Sequence, residues 1–500
     1  MRQSGILLHL TSLPSSGGIG TMGKEAYEFV DFLSRAGMTI WQVLPISPTG
    51  FGDSPYQSVS AFAGNPLLID LDRLIEQGLL PRGTALPEEP LDPSKVDYGR
   101  VVQEKSALLK QAFDDSRTRV AKELNAFRQR ETWVEDYALF SAVKEHFGLA
   151  SWMEWADEAI RLRDEKAMRH YRAMLKDSVD YYIFIQYLFF EQWYALKSYA
   201  NQKGILIFGD MPIYTAEDSC DVWAHPDVFQ LDLARRPVRI AGVPPDYFSV
   251  TGQRWGNPLY NWEALKKTDY AWWIERLRAM GRIYDIVRID HFIGFANYYA
   301  IPASEETAQH GVWEDAPGED FFTCVQEKLP HLRIVAEDLG AVNEKVLSLM
   351  RFTGYPGMKI LCFGFSGNPA DPNLPQNYPL NCVVYTGTHD NSTVKGWFEC
   401  LSDSQRHLVR QYLAIGPEED VPTAMVRAAM LSRADTCVLP MQDLLGLDDD
   451  ARMNIPSTIG GNNWRWRMTL NQATPALADR LRALNILSAR LPSEEVLIQE

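Results

Sequence analysis

Four acids stand in comparable places in this chain, each near the end of an apolar segment. Asp210 lies in GILIFGDMP (204–212), Asp290 ends YDIVRID (284–290), Glu337 lies in LRIVAEDLG (332–340) and Asp390 ends NCVVYTGTHD (381–390). Carboxyl groups in pairs can cleave a glycosidic bond with retention: one attacks the sugar and the other donates, then recovers, a proton, with the two held about 5 Å apart. A single acid in a core strand has a plainer use as an ion-pair partner. In IVRIDHF (286–292), Arg288 and Asp290 share one face of a strand and Val287 and Ile289 the other. Taken alone, that stretch reads as a structural salt bridge. Four acids at equivalent strand ends shift the reading towards chemistry.

The elements that must position these acids are short apolar runs, most of them followed by helical patterns. Besides the four above, they are GILLHL (5–10), TIWQVLPI (39–46), GMKILCFGF (357–365) and DTCVLPMQDLLG (435–446). Eight continuously apolar strands alternating with helices predict an α/β fold, a (β/α)8 TIM barrel, whose catalytic groups gather at the C-terminal strand ends. Adjacent barrel strands are about 5 Å apart, so Asp290 and Glu337 can meet. Arg288 pairs with Asp290, and the Asp290 charge raises the proton affinity of Glu337, so that one acid serves as nucleophile and the other as proton donor. Asp390, next to His389 in THDN, is placed to hydrogen-bond sugar hydroxyls. A metal site made of Asp210, Asp290 and Asp390 is the alternative, but it lacks a histidine partner pattern.

Large insertions are expected after strands 2 and 3. Residues 1–84, 181–212 and 262–500 form the barrel; 85–180, charge-rich and helical, form a helical insertion subdomain; 213–261 form a loop or lid insertion. The lid contains AGVPPDYFSVTGQRWGNPLYNW, where Pro244, Pro245, Gly252, Gly256 and Pro258 accompany Tyr247, Phe248 and Trp255. That composition predicts irregular backbone carrying aromatics over the barrel mouth. GIGTMG (18–23) matches a dinucleotide fingerprint, but seven residues separate it from its strand, and Lys24 is followed by Glu25 where a phosphate loop needs Ser or Thr. It reads as a turn into the first helix.

A net charge of −16 argues against nucleic acid or an anionic membrane as partner and suits a neutral ligand. No obligate protein partner is evident. The six cysteines have no CxxC spacing, and no apolar run approaches the roughly 18 residues of a membrane span. The N-terminal MRQSGILLHLTSLP lacks a signal-peptide pattern. A cytoplasmic protein with reduced thiols is expected.

GDMPIY, RIDHF, AEDLG and YTGTHDN, in this order, resemble the four signature regions of the α-amylase clan. TGFGDSPYQSVSAFAGNP, GVPPDYFSVTGQRWGNPLY, PGMKIL and MQDLLGLDDDARMNIP resemble glycoside hydrolase family 77, the 4-α-glucanotransferases also called amylomaltases or disproportionating enzymes. The resemblance implies transfer of α-1,4-glucan segments between starch-type glucans or maltooligosaccharides through a covalent glycosyl-aspartate, with neither metal nor organic cofactor. It implies Asp290 as nucleophile, Glu337 as acid/base and Asp390 as transition-state stabiliser. Arg288, His291 and His389 resemble sugar and carboxylate contacts, and Asp210, Tyr56, Trp255 and Asn463 resemble substrate-binding positions. Phe51 and Tyr98 resemble a second glucan site on the outer surface, with Phe51 lacking a hydroxyl found in some members. An α-glucan hydrolase and a non-catalytic glucan-binding barrel are the other readings.

Overall fold

The computed structural model describes residues 2–245, 249–340 and 342–491, without the Phe51 side chain. Its strands, in chain order, are β1 (Gln3–Leu7), β2 (Ile40–Gln42), β3 (Leu206–Pro212), β4 (Arg239–Val243), β5 (Gln253–Pro258) and β6 (Ile286–Asp290), followed by β7 (Asn297–Pro302), β8 (Val312–Asp315), β9 (Ile334–Ala336), β10 (Gly357–Ile360), β11 (Cys382–Tyr385) and β12 (Thr436–Pro440). Eight of them form one parallel sheet in the order β10-β11-β12-β1-β2-β3-β6-β9. The Ala336 amide donates to the Pro356 carbonyl at 2.9 Å and brings the two ends together, so the sheet is the expected (β/α)8 barrel. Seven of the eight strands fall within the expected apolar runs, and β1 starts two residues before its run. Both faces of these strands are covered, which is why the runs are continuous rather than alternating: Ile40, Trp41, Ile207, Phe208, Val287 and Ile289 are all fully buried.

GIGTMG packs rather than cradles. Gly20 donates its amide to the Thr11 carbonyl at 3.0 Å, and a Cβ there would lie 1.8 Å from the Leu10 carbonyl oxygen, so only glycine lets the two backbones approach. The amphipathic helix Lys24–Arg35 follows and buries Ala26, Phe29, Val30, Phe32 and Leu33.

Residues 85–180 carry the helices Tyr98–Ser116, Ala121–Arg130, Val134–His146 and Glu165–Met174. The expected boundary at 180 falls inside a single helix, Lys176–Gln202, which runs on into the barrel. That helix pins the loop after β2. Gln186 exchanges two hydrogen bonds with the Gly64 backbone (2.8 and 2.9 Å), and Gln192 does the same with Asp70 (2.7 and 3.0 Å). Both amides are buried with their bonding capacity used on backbone, which fixes a loop that would otherwise lack a ladder.

The irregular backbone expected for 213–261 is corrected. A short helix, Cys220–Ala224, and two strands occur there, and β5-β4-β7-β8 form a four-stranded antiparallel sheet whose other half comes from the segment after β6. The prolines and glycines punctuate this sheet instead of abolishing it. Pro244 and Pro245 follow β4, Gly252 has φ +68° just before β5, and Pro258 ends the edge strand β5, where a missing N–H is tolerated. Among the described residues, no helix is long and apolar enough to cross a membrane.

Candidate active site

The C-terminal strand ends converge as the barrel requires. β3 and β6 pair with Asp210 opposite Arg288 and Pro212 opposite Asp290. Arg288 Nη1 lies 2.7 Å from both Asp210 oxygens and 2.9 Å from Asp290 Oδ1, so one guanidinium serves two acids. The two acids differ in access: the Asp210 side chain is fully buried, while that of Asp290 is 30% exposed. Burial raises the Asp210 carboxyl above its ordinary range, with Arg288 opposing. The Tyr56 hydroxyl donates to Asp210 Oδ2 at 2.9 Å. The end of β3 is held in turn by Arg276, which donates to the Pro212 carbonyl at 2.5 Å and the Ile213 carbonyl at 2.9 Å. Charge-assisted bonds of this kind contribute about 1.5–3 kcal/mol each.

Ile289 is in register with Ala336, so Asp290 and Glu337 follow one another across neighbouring strands. Glu337 is 8% exposed; Oε2 accepts the His291 amide at 2.7 Å and Oε1 the Leu339 amide at 2.8 Å. Its carboxyl is pushed up to about 7, chiefly by burial, with the Asp290 charge adding to the rise and Arg288 and the two amides opposing it. Burial is thus a larger cause than the Asp290 charge expected to raise it. His291 turns its amide towards Glu337 by adopting φ +52°, ψ +47°. A left-handed non-glycine residue costs about 1–2 kcal/mol, strain of the sort found where geometry is over-determined by its surroundings. Its ring meets Trp255 edge-on at 4.8 Å. Burial lowers the His291 imidazole to about 4, with Asp290 opposing, so it is neutral at pH 7.

Asp390 follows β11 on a loop. Its Oδ1 accepts Asn454 Nδ2 at 2.7 Å, and its Oδ2 lies 3.4 Å from His389 Nε2. His389 stacks on Tyr56, centroids 5.2 Å apart and planes 12° from parallel, and Trp464 leans on both rings. Tyr56, Trp255, Asp290, His291, His389 and Asp390 thus face one cleft of about 720 Å³, within the usual range for a ligand site.

Other expected positions lie elsewhere. The Asp210 side chain is fully buried, with its oxygens engaged by Arg288 and Tyr56. Asn463 is 5% exposed, accepts the Ile455 amide at 3.0 Å and donates to Thr458. Tyr98 does not belong to an outer surface, because it is 4% exposed and its hydroxyl donates to the Trp464 carbonyl at 3.0 Å. Tyr247, Phe248 and the Phe51 side chain lie outside the described residues. Asn454 and Trp464 line the cleft and were not singled out from sequence. The signal was present: ARMNIPSTIGGNNWRW is dense in Gly, Asn and Trp and follows the eighth strand, on the functional side of a barrel.

A family model described as 4-alpha-glucanotransferase matches residues 8–472. A 4-alpha-glucanotransferase of Streptococcus pneumoniae serotype 4 is 48% identical over 496 residues, 98% of each chain. One from Thermus thermophilus is 46% identical over 502 residues, 98% of this chain and 99% of its own. Among solved structures, amylomaltase from Streptococcus agalactiae in complex with acarbose superposes with a TM-score of 0.95 at 43% identity, covering 98% of this chain and 100% of that one.

Proposed function

The chain belongs to the 4-alpha-glucanotransferases of glycoside hydrolase family 77 and is an enzyme, and from that premise we propose that it exchanges α-1,4-glucan segments between maltooligosaccharides or starch-type glucans by two displacements at one anomeric carbon. Asp290 attacks that carbon as the glycosidic bond breaks, and Glu337 gives its proton to the leaving 4-oxygen. Arg288 occupies Asp290 Oδ1, which leaves Oδ2 for the attack. In the second displacement Glu337, now a carboxylate, takes the proton from the 4-hydroxyl of an acceptor glucan. That oxygen attacks the glycosyl-aspartate and releases Asp290, so two inversions give net retention. Asp390 hydrogen-bonds the distorted ring at the transition state.

The observation that carries this reading is the contrast within one carboxyl pair. Asp290 is open to the cleft and paired with a guanidinium, whereas Glu337 is buried with its carboxyl pushed up to about 7, where an acid can both give and recover a proton near neutral pH. Transfer over hydrolysis requires the acceptor to outcompete water at about 55 M, and an oriented acceptor can reach effective molarities of roughly 10⁵ M or more. Trp255, on the cleft wall beside His291, gives such an acceptor a stacking face. All six cysteines are free, which suits a reducing cytoplasm.

Maltotriose tests the reading. Exchange of one glycosidic bond for another yields glucose and longer oligomers at constant total reducing ends. Reducing ends that rise in step with maltotriose loss, with nothing longer formed, would make this protein a hydrolase.

A further inference from the structure

Asp390 lies on a loop, beyond the ladder that fixes Asp290, and its side chain is 41% exposed. Something other than burial must hold it. Two segments far apart in sequence are laced together around it. The Asn454 amide donates to the His389 carbonyl at 3.0 Å, and Asn454 Nδ2 to Asp390 Oδ1 at 2.7 Å. Arg452 completes the lacing with three separate donors: Nη2 to the Asp390 carbonyl at 2.6 Å, Nη1 to Ser392 Oγ at 3.0 Å and Nε to the Asn454 carbonyl at 2.8 Å.

We propose that Arg452, acting through Asn454, is the positioning residue for Asp390, fixing both its backbone and the direction of its carboxylate. The geometry calls for arginine. The three acceptors lie on two segments of chain, and Arg452 meets each from a different nitrogen of one planar guanidinium; a lysine's three donors share a single nitrogen and cannot span them. The clasp also works from both sides of the acid. Arg452 holds the Asp390 carbonyl and, by its bond to the Asn454 carbonyl, orients the residue whose amide holds Oδ1. Arg452 needs no contact with the sugar for this.

The inference rests on the reading of Asp390 as a group that meets the reacting ring, and the experiment separates the two. Arg452→Lys and Asn454→Ala are compared with Asp390→Asn in maltotriose disproportionation, with thermal melting recorded for each. A group that matters chiefly at the transition state lowers kcat while leaving KM nearly unchanged. The expected result for Arg452→Lys is a roughly 10- to 100-fold fall in kcat with KM within about threefold, and a parallel, smaller fall for Asn454→Ala. The magnitude follows from losing one or two charge-assisted bonds. Acarbose binding should weaken in both variants more than maltotriose binding does. If Asp390→Asn stays active, the reading of Asp390 fails. If Asp390→Asn is inactive while Arg452→Lys and Asn454→Ala keep wild-type kcat, the clasp has no role in catalysis. A variant whose KM rises as much as its kcat falls, with a lowered melting point, would make Arg452 a loop brace only.

Discussion

Replacing Glu337 with Gln separates two consequences of one buried proton. In the folded protein the Glu337 carboxyl is raised from its ordinary 4.5 to about 7. Between those values the native state keeps a proton that the unfolded chain has released, so stability is fully present below about pH 4.5 and is lost as pH rises through about 7. Two and a half pH units at 1.36 kcal/mol each amount to roughly 3 kcal/mol. Gln carries no titrating proton and does not feel this loss. It does lose one of the two backbone bonds, since its amide nitrogen has no acceptor for the His291 or Leu339 N–H, which lowers its stability at every pH by about 1–3 kcal/mol. The variant should therefore be the less stable protein near pH 4 and gain on the wild type by about 3 kcal/mol by pH 8. Urea unfolding at both pH values measures this. Kinetically, wild-type kcat/KM should fall about tenfold per unit above pH 7, because only the protonated acid helps the leaving group. Glu337→Gln should lose roughly 10²–10⁴-fold on maltotriose yet still be glycosylated by an activated donor such as a glucosyl fluoride. A stability difference that does not change with pH, or equal loss on both donors, would refute the buried-acid argument.

Asp290→Asn should cut turnover by at least about a thousandfold and abolish any glycosyl adduct seen by intact-protein mass spectrometry; a folded variant retaining a tenth of its activity removes Asp290 from the nucleophile's role. Asp210→Asn should destabilise the fold by about 3–5 kcal/mol in denaturant titration, because it leaves Arg288 buried with only Asp290 as ionic partner. A shift below about 1 kcal/mol would mean that water already reaches the pair. Trp255→Ala should raise the ratio of hydrolysis to transfer, followed as reducing ends against new chain lengths, without abolishing cleavage; an unchanged ratio would place acceptor binding elsewhere.

The barrel and the carboxyl pair were legible in the sequence because both depend on short-range rules. A strand covered on two faces must be apolar throughout, so the eight strands could be counted, and alternation along β6 put Arg288 and Asp290 on one face. Register between neighbouring strands then carried Glu337 to Asp290. Other features depended on which distant segments meet. Pro and Gly in 213–261 read as irregular chain, whereas β7 and β8 supply the other half of a sheet there. Tyr98 resembles half of an outer-surface glucan site, yet the Trp464 carbonyl takes its hydroxyl inside the protein. The partners of Asp390 lie more than sixty residues away, at Arg452 and Asn454. Local periodicity reports how each segment is buried; it carries no information on which loops close over one another, and hydrogen bonds to backbone carbonyls, as Arg452 makes, ask nothing of the partner's side chain. That is why the acids could be read from their own apolar runs, while the clasp that orients one of them had to be seen in three dimensions.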